Sequence, residues 1–370
     1  MPKDILIGGM GPLSAPGFIS AGKDLRAGMT LAVDRLNAGG GVLGRRLALA
    51  FEDSAGRPDE GVAAMARLVA RGVCVLAGEF HSVVADAMVV PIDRTGIPFV
   101  CASATLDTIT TRRLPGVFRL SPAQSHSWSV FADYLLGTRV GHVIALLDDS
   151  AYWAAGAAVI KARVRADARW TTLNRSKGVT AREIVGAIEA LVSADDGSSV
   201  VLPLVSYPEP LGSVARELDR RGLEPPLARL ADPAGRPCLA DWPEVAGSGA
   251  VDTPYLAHVR PHELTAVGRQ AAARFEDDCH REPSFVALEG YDAVLAVAAA
   301  MQAAGSTEPA AVARALRSVG TAGTRGEIRF STTAEPPVHQ QWRWPPVCVL
   351  AQRAAGRPLT AAEVLFDPRS

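Results

Sequence analysis

Lysine is nearly missing from this 370-residue chain: only Lys3, Lys23, Lys161 and Lys177 occur, beside abundant Arg and Ala, a bias that reads as genome composition. An excess of either charge is missing too. Thirty-eight basic side chains face 39 acidic ones, for a net charge of −1, and no basic stripe stands out. That argues against a nucleic-acid binder. Long apolar runs are lacking: stretches such as Val140–Leu147 fall far short of the ~20 residues that cross a bilayer, so a membrane-spanning protein is excluded. Cysteine is scarce. Cys74, Cys101, Cys238, Cys279 and Cys348 form no CxxC pair and no short metal spacing. Neither a zinc site nor a disulfide scaffold is expected, and the odd count leaves one thiol without an internal partner. Cys74 and Cys101 sit in apolar runs and read as small buried hydrophobes. A leader is missing as well, since Met1-Pro2-Lys3-Asp4 runs straight into Ile5–Ile7. Either a secretion signal was trimmed, or the natural protein stays inside the cell.

What is present is an alternation of short apolar runs and helical faces, on a chain long enough for two domains, because one core stops growing near about 250–300 residues. Ile5–Ile7 ends at Gly8-Gly9 as a strand. Leu25, Met29, Ala32, Val33 and Leu36 then share one helical face, which Gly39-Gly40-Gly41 stops by tolerating a left-handed backbone. Strands over Arg46–Glu52, Val73–Ala77 and Pro98–Ala102 alternate with helices over Asp59–Ala70 and Ser82–Arg94. This rhythm predicts a parallel sheet covered on both faces. It restarts after Pro122, with helices at Ser127–Leu136, Ala154–Val164, Ala181–Val192 and Leu211–Arg221, and strands at His142–Leu147, Ser199–Leu204 and Leu227–Leu230 beyond a Pro225-Pro226 turn. Long helices follow at Glu263–His280, Leu288–Ala304 and Pro309–Val319, then strands at Gly326–Phe330 and Val347–Gln352. Thr253-Pro254 and Ser331–Pro337 are the most linker-like places.

Motifs of catalysis do not emerge. Gly39–Gly44 fits GxGxxG in letters, but a helix precedes it and a strand follows, the reverse of a dinucleotide site. His258 and His262 are separated by Pro261, which disfavours a helical ligand pair and suggests a solvated loop. No P-loop, GxSxG elbow or HExxH helix occurs. No cofactor or metal is expected, and no enzyme activity.

Several segments together resemble the substrate-binding proteins of branched-chain amino acid ABC transporters. They are Ile5–Gly8 with Gly11–Ser14, the stretch from Gly28 through Leu31–Arg45, Glu52–Ser54 with Pro58, Gly78 to Ser82, Pro98-Phe99, Phe118-Arg119, Asp148-Asp149 with Tyr152, and Glu289–Val294. Their order and spacing, over nearly the whole chain, carry the resemblance. It implies the type I periplasmic fold: α/β, with two doubly wound parallel-sheet lobes joined by three crossovers and a ligand cleft between them. The first lobe would be 1–121 plus 254–331, the second 122–253 plus 332–370.

The site follows from loops beyond strand C-termini, where helix N–H groups attract a carboxylate. Ser82 either caps its helix or holds that carboxylate. Ser103, Ala104 and Thr105 match the family segment that binds the amino-acid head group, with Thr105 favoured for contact. Tyr152 and Tyr207 are the second-lobe candidates, each with a core role as the alternative. Asp232 is the nearest acidic partner for an ammonium, or a loop-surface residue. Phe18 would shield the ligand's side chain, and Tyr291 either approaches the ligand or packs between helices. Three departures from the family pattern, Trp153 for Gly, Val83 for a hydroxyl and the acidic Glu79, put leucine itself in doubt. An amino acid, an amide or an aromatic acid fits equally well.

Two functions remain open. One is a periplasmic or extracytoplasmic solute-binding protein that delivers its ligand to an ABC permease. The other is a cytoplasmic amide-type sensor acting on a regulatory protein partner. An unprocessed Met1 favours the second.

Overall fold

The computed structural model describes residues 3–176, 178–192, 198–222, 229–247, 251–335, 338–354 and 359–369. The Pro225-Pro226 turn, the first two residues of the Leu227–Leu230 strand and the end of the Ser331–Pro337 linker lie outside them. In chain order come β1 (Ile5–Gly11), α1 (Ile19–Ala38), β2 (Leu47–Asp53), α2 (Pro58–Ala70), β3 (Val75–Gly78), α3 (Ser82–Asp93), β4 (Phe99–Cys101), the short α4 (Thr108–Thr111) and β5 (Val117–Arg119). Next are α5 (Gln124–Gly137), β6 (His142–Leu147), α6 (Ala151–Val164), β7 (Arg169–Asn174), α7 (Ala181–Val192), β8 (Ser199–Leu204), α8 (Leu211–Arg220), β9 (Arg229–Leu230), α9 (Trp242–Ala246) and β10 (Tyr255–Ala257). The chain ends with α10 (Ala266–Cys279), α11 (Phe285–Ala304), α12 (Pro309–Leu316), β11 (Gly320–Ala322), β12 (Glu327–Arg329), β13 (Cys348–Ala351) and β14 (Glu363–Phe366).

These elements form two compact units, Met1–Ala123 with His262–Pro346 and Gln124–Pro261 with Val347–Ser370. Two boundaries differ from those read in the sequence. Thr253-Pro254 is not a crossing, because β10 pairs antiparallel with β13 inside the second unit and the Pro254 carbonyl accepts the Asp232 N–H. Nor does the chain leave the first unit at Ser331. Gln341 accepts from the Ser331 N–H, the Arg119 N–H donates to the Gln340 carbonyl, and the crossing waits until Pro346.

In the first unit five parallel strands run in the order β2-β1-β3-β4-β5. β3, β4 and β5 are buried along their whole length, as expected of strands covered on both faces. α1 turns Ala21, Leu25, Met29 and Ala32 inward, and α11 packs against it. Twenty residues long, α11 corrects the exclusion made from apolar runs: by length and composition it is apolar enough to span a membrane. It is nevertheless buried almost all round, the mark of a central core helix. α1 ends at Gly39 with an ordinary right-handed φ, and Gly40 (φ +97°) and Gly41 (φ +81°) supply the left-handed turn.

The second unit has four parallel strands in the order β7-β6-β8-β9 and a three-stranded antiparallel sheet, β10-β13-β14. β7 was not anticipated. Its sequence, Arg169-Trp170-Thr171-Thr172-Leu173-Asn174, is polar because it pairs with β6 alone and lies at the sheet edge. All five cysteines are free thiols. Burial pushes Cys101 up to about 12, and half-buried Cys74 to about 11.

α1 and α11 approach closely at Gly28, where a Cβ would stand 1.9 Å from the Ala287 carbonyl oxygen. Backbone cannot yield cheaply. Gly28→Ala is therefore expected to cost about 1–3 kcal/mol, seen as a Tm lower by several degrees in calorimetry. Gly137→Ala, whose Cβ meets nothing within 4 Å, is expected to leave the Tm within about a degree.

Candidate functional site

A doubly wound sheet has one place where successive crossovers leave in opposite directions, and loops beyond the strand C-termini open a crevice there. In the first unit that place lies between β1 and β3. The loop after β1 carries Phe18, the turn after β3 leads into Ser82, and the loop after β4 carries Ser103, Ala104 and Thr105. The structure ties these together. The Phe18 N–H donates to His81 Nε2 at 3.1 Å, and the Phe18 ring packs 4.8 Å from the His81 ring and 5.6 Å from Phe80.

Ser82 does not cap its own helix. His81 stands at the N-cap without a side-chain cap bond, and Ser82 is the first helical residue. Its hydroxyl instead accepts the N–H groups of Thr105 at 2.9 Å and Leu106 at 3.3 Å. From the opposite side of the same peptides, the wholly buried Arg119 donates to the carbonyls of Thr105 (3.1 Å) and Leu106 (2.7 Å), and to Gln341 Oε1 at 2.7 Å. Burial pulls Arg119 down to about 10, which still leaves it a cation at neutral pH. The Ala104 carbonyl accepts from Ser121 Oγ at 2.6 Å. The loop is thus held by its backbone, while Ser103 Oγ and Thr105 Oγ1 are buried with no hydrogen-bond partner. Two idle buried hydroxyls are uncommon in a folded protein.

Glu79 stands in the turn before α3 with φ +64°, and its Oε1 accepts the N–H groups of Phe80 (2.9 Å) and His81 (2.8 Å). Burial pushes its carboxyl up to about 7, and desolvation pulls the His81 imidazole down to about 4. Asp53, at the end of β2, accepts from the N–H groups of Leu13 and Ala55 at 2.7 Å each. Burial opposes its charge, but these bonds and the Ser14 side chain win and hold it below the usual carboxylate range.

The second unit repeats the arrangement between β6 and β8. Asp148, at the exit of β6, accepts from Arg175 and from the Ser206 N–H at 3.0 Å. Tyr152, half-buried near the start of α6, meets Trp128 edge-on at 5.7 Å, and its carbonyl accepts from Gln124 Nε2 at 2.9 Å. Tyr207, beyond β8, is buried and stacks on Trp242 at 6.4 Å; burial, then the adjacent Asp241, raises its hydroxyl well above the ordinary value.

A family model described as "Periplasmic binding protein" matches residues 4–343. The chain belongs to that family. Leu/Ile/Val-binding protein homolog 3 of Brucella melitensis is 26% identical over 346 residues, covering 92% of this chain and 91% of its own. The Leu/Ile/Val-binding protein BraC3 of Rhizobium johnstonii is 31% identical over 155 residues, 42% of each chain. The fold matches the branched-chain amino acid transporter substrate binding protein LivJ of Streptococcus pneumoniae, solved with isoleucine, at a TM-score of 0.82 and 20% identity over 99% of this chain and 100% of that one. It also matches a solute binding protein of an R. palustris ABC transporter, solved with benzoate, at a TM-score of 0.79 and 19% identity over 99% and 96% of the two chains. These relatives are named as Leu/Ile/Val-binding proteins, and the structural neighbours as substrate- or solute-binding proteins of ABC transporters. The regulator alternative gains no support from these relatives.

Three candidates of this binding protein take up other duties. Asp232 is wholly buried and committed: Oδ2 accepts Arg236 Nε at 2.7 Å, and Oδ1 accepts Arg236 Nη2 at 3.2 Å and the Ala234 N–H at 2.8 Å. Arg236 also donates to the carbonyls of Val205 (2.7 Å) and Pro203 (2.6 Å), so the pair is a buried fastener rather than a counter-charge for an ammonium. Tyr291 stays apart from the Ser82 cluster; it is buried on α11, with its hydroxyl in reach of Arg35 in the last turn of α1. Trp153 offers no open stacking face, being buried under the Arg236 guanidinium, 5.4 Å from the ring centre. His258 too is buried rather than solvated. Arg119 and Arg236 were missed as organisers. The available signals were an arginine inside the apolar run Val117–Leu120 and an Asp-Arg pair four residues apart across Gly235.

Removing one member of a buried pair strands the other, at about 3–5 kcal/mol. Asp232→Ala should lose that much stability in urea denaturation. Asp232→Leu combined with Arg236→Met should recover most of it.

Proposed function

We infer that the chain captures a small solute through its carboxylate at the first unit's Ser82 and Ser103–Thr105 loops and delivers it to an ABC permease outside the cytoplasm. The observation that carries this reading is the pair of buried, unpartnered hydroxyls on Ser103 and Thr105, on the loop after β4 and beside the N-terminus of α3. The Val84 and Ala85 N–H groups of that helix donate to the His81 carbonyl, and those of Ser82 and Val83 ahead of them favour an anion. A carboxylate accepting from such donors gains about 1.5–3 kcal/mol per charged hydrogen bond. Phe18, with Phe80 beside it, supplies apolar cover for whatever the carboxylate is attached to. Tyr152 and Tyr207 are the second unit's contact candidates, at the exits of β6 and β8. Leucine, isoleucine and valine in the relatives' names and benzoate in one structure mark the solute range: an aliphatic amino acid or an aromatic acid. Nothing in the loops is arranged as a nucleophile with a base, and solute capture without turnover is the role proposed.

A thermal-shift screen with L-leucine, L-isoleucine, L-valine, benzoate and their amides tests it. A binder at a hundred times its Kd adds about 2.7 kcal/mol of stability. A panel in which no carboxylate raises the Tm refutes the reading. With the best binder in calorimetry, Thr105→Val and Ser82→Ala are each expected to weaken affinity about tenfold or more, and unchanged affinity in both removes these residues from the site.

A further inference from the structure

Directly behind the Ser103–Thr105 loop lies an ionisable group with no part yet in binding. Glu79 joins three strand exits through its main chain: its N–H donates to the Met10 carbonyl at 2.8 Å after β1, and its carbonyl accepts the Ser103 N–H at 3.2 Å after β4. Its side chain is wholly buried. Oε1 is engaged by Phe80 and His81, whereas Oε2 has no hydrogen-bond partner.

The groups around it offer little relief for a negative charge. His81, on its own turn, is held neutral by desolvation. Asp53 at the end of β2 brings a second negative charge, and the Ser54 hydroxyl beside it is the side-chain hydrogen-bond partner that favours the Glu79 carboxylate. From β4 comes the Cys101 thiol, itself influenced by Arg119 on β5 and Glu289 on α11. Arg119 is the only cation of this set, and it is spent on the Thr105 and Leu106 carbonyls and Gln341. A solute carboxylate placed at the loop would therefore add a further negative charge near the buried carboxylate of Glu79, whose own main-chain carbonyl holds the Ser103 N–H. Two such charges in a poorly solvated region do not both stay ionised.

We propose that capture of a carboxylate solute by this chain is coupled to uptake of one proton by Glu79, taken from solvent onto Oε2. A proton there leaves both N–H bonds to Oε1 intact, so the turn before α3 keeps its shape while the internal negative charge gives way to the solute's. This rests on the solute reading above. Because Glu79 titrates near pH 7 in the empty protein, about half of the molecules already hold the proton at that pH. The bound state holds more protons than the free one, so affinity falls as pH rises.

Calorimetry of the full chain with benzoate and with L-leucine, in phosphate and in Tris at pH 7 and 8, tests the coupling. The expected result is a binding enthalpy that differs between buffers, corresponding to uptake of up to about half a proton at pH 7 and more at pH 8. The accompanying loss of affinity should be about fivefold between these pH values. Glu79→Gln should bind the same probe with no uptake and a flat pH profile. Binding with a buffer-independent enthalpy overturns the proposal, and so does uptake that persists in Glu79→Gln. Failure of both probes and of every other carboxylate in the screen to bind overturns the solute reading itself, and this inference with it.

Discussion

A cation buried away from water is costly, and the first unit accepts that cost at Arg119. The guanidinium donates from its Nη atoms to two successive carbonyls and a glutamine, and by doing so it holds the backbone that Ser82 also grips. The second unit reaches the same end with Arg236, which gathers the carbonyls of Pro203 and Val205 and the carboxylate of Asp232. In each unit a buried arginine fastens loops that hydrophobic packing alone would leave loose, because strand exits carry more peptide groups than apolar side chains. The pattern suits a binding protein: side chains at the loop tips stay idle while their backbone is already ordered, so less entropy remains to be lost on capture.

Much of this architecture is legible in the residues. His142–Leu147, Ser199–Leu204 and Ala181–Val192 form the elements their apolar patterns announce, with the same ends. Buried parallel strands and one-faced helices leave strong periodic signals. Elements that escaped lack them. β7 is a polar edge strand, and β10, β11 and β14 are only three or four residues long, β10 with a partner nearly a hundred residues away. The Pro-rich stretches looked like linkers because proline signals a break in regular structure, yet what decides a boundary is where the flanking hydrogen bonds go.

The candidate site was readable as positions but not as roles. Ser82, Ser103, Ala104 and Thr105 do gather at one sheet edge, because a parallel sheet delivers all its βα loops to the same side. Which hydroxyls are free was not readable. Ser82 is occupied by the Thr105 and Leu106 peptides while Thr105 is not, a distinction made by a separation of 23 residues in sequence and 2.9 Å in space. Asp232 shows the opposite error: an acidic residue in the right loop, already matched with an arginine four residues on.

That match bears on the kind of solute the fold can favour. Leucine brings an amine that costs energy to strip of water unless a fixed negative group receives it, and Asp232 has been withdrawn from that service. A nitrogen-free acid has no such need. With respect to this residue, a nitrogen-free acid stands on level terms with an amino acid, a parity that a spare aspartate would have removed.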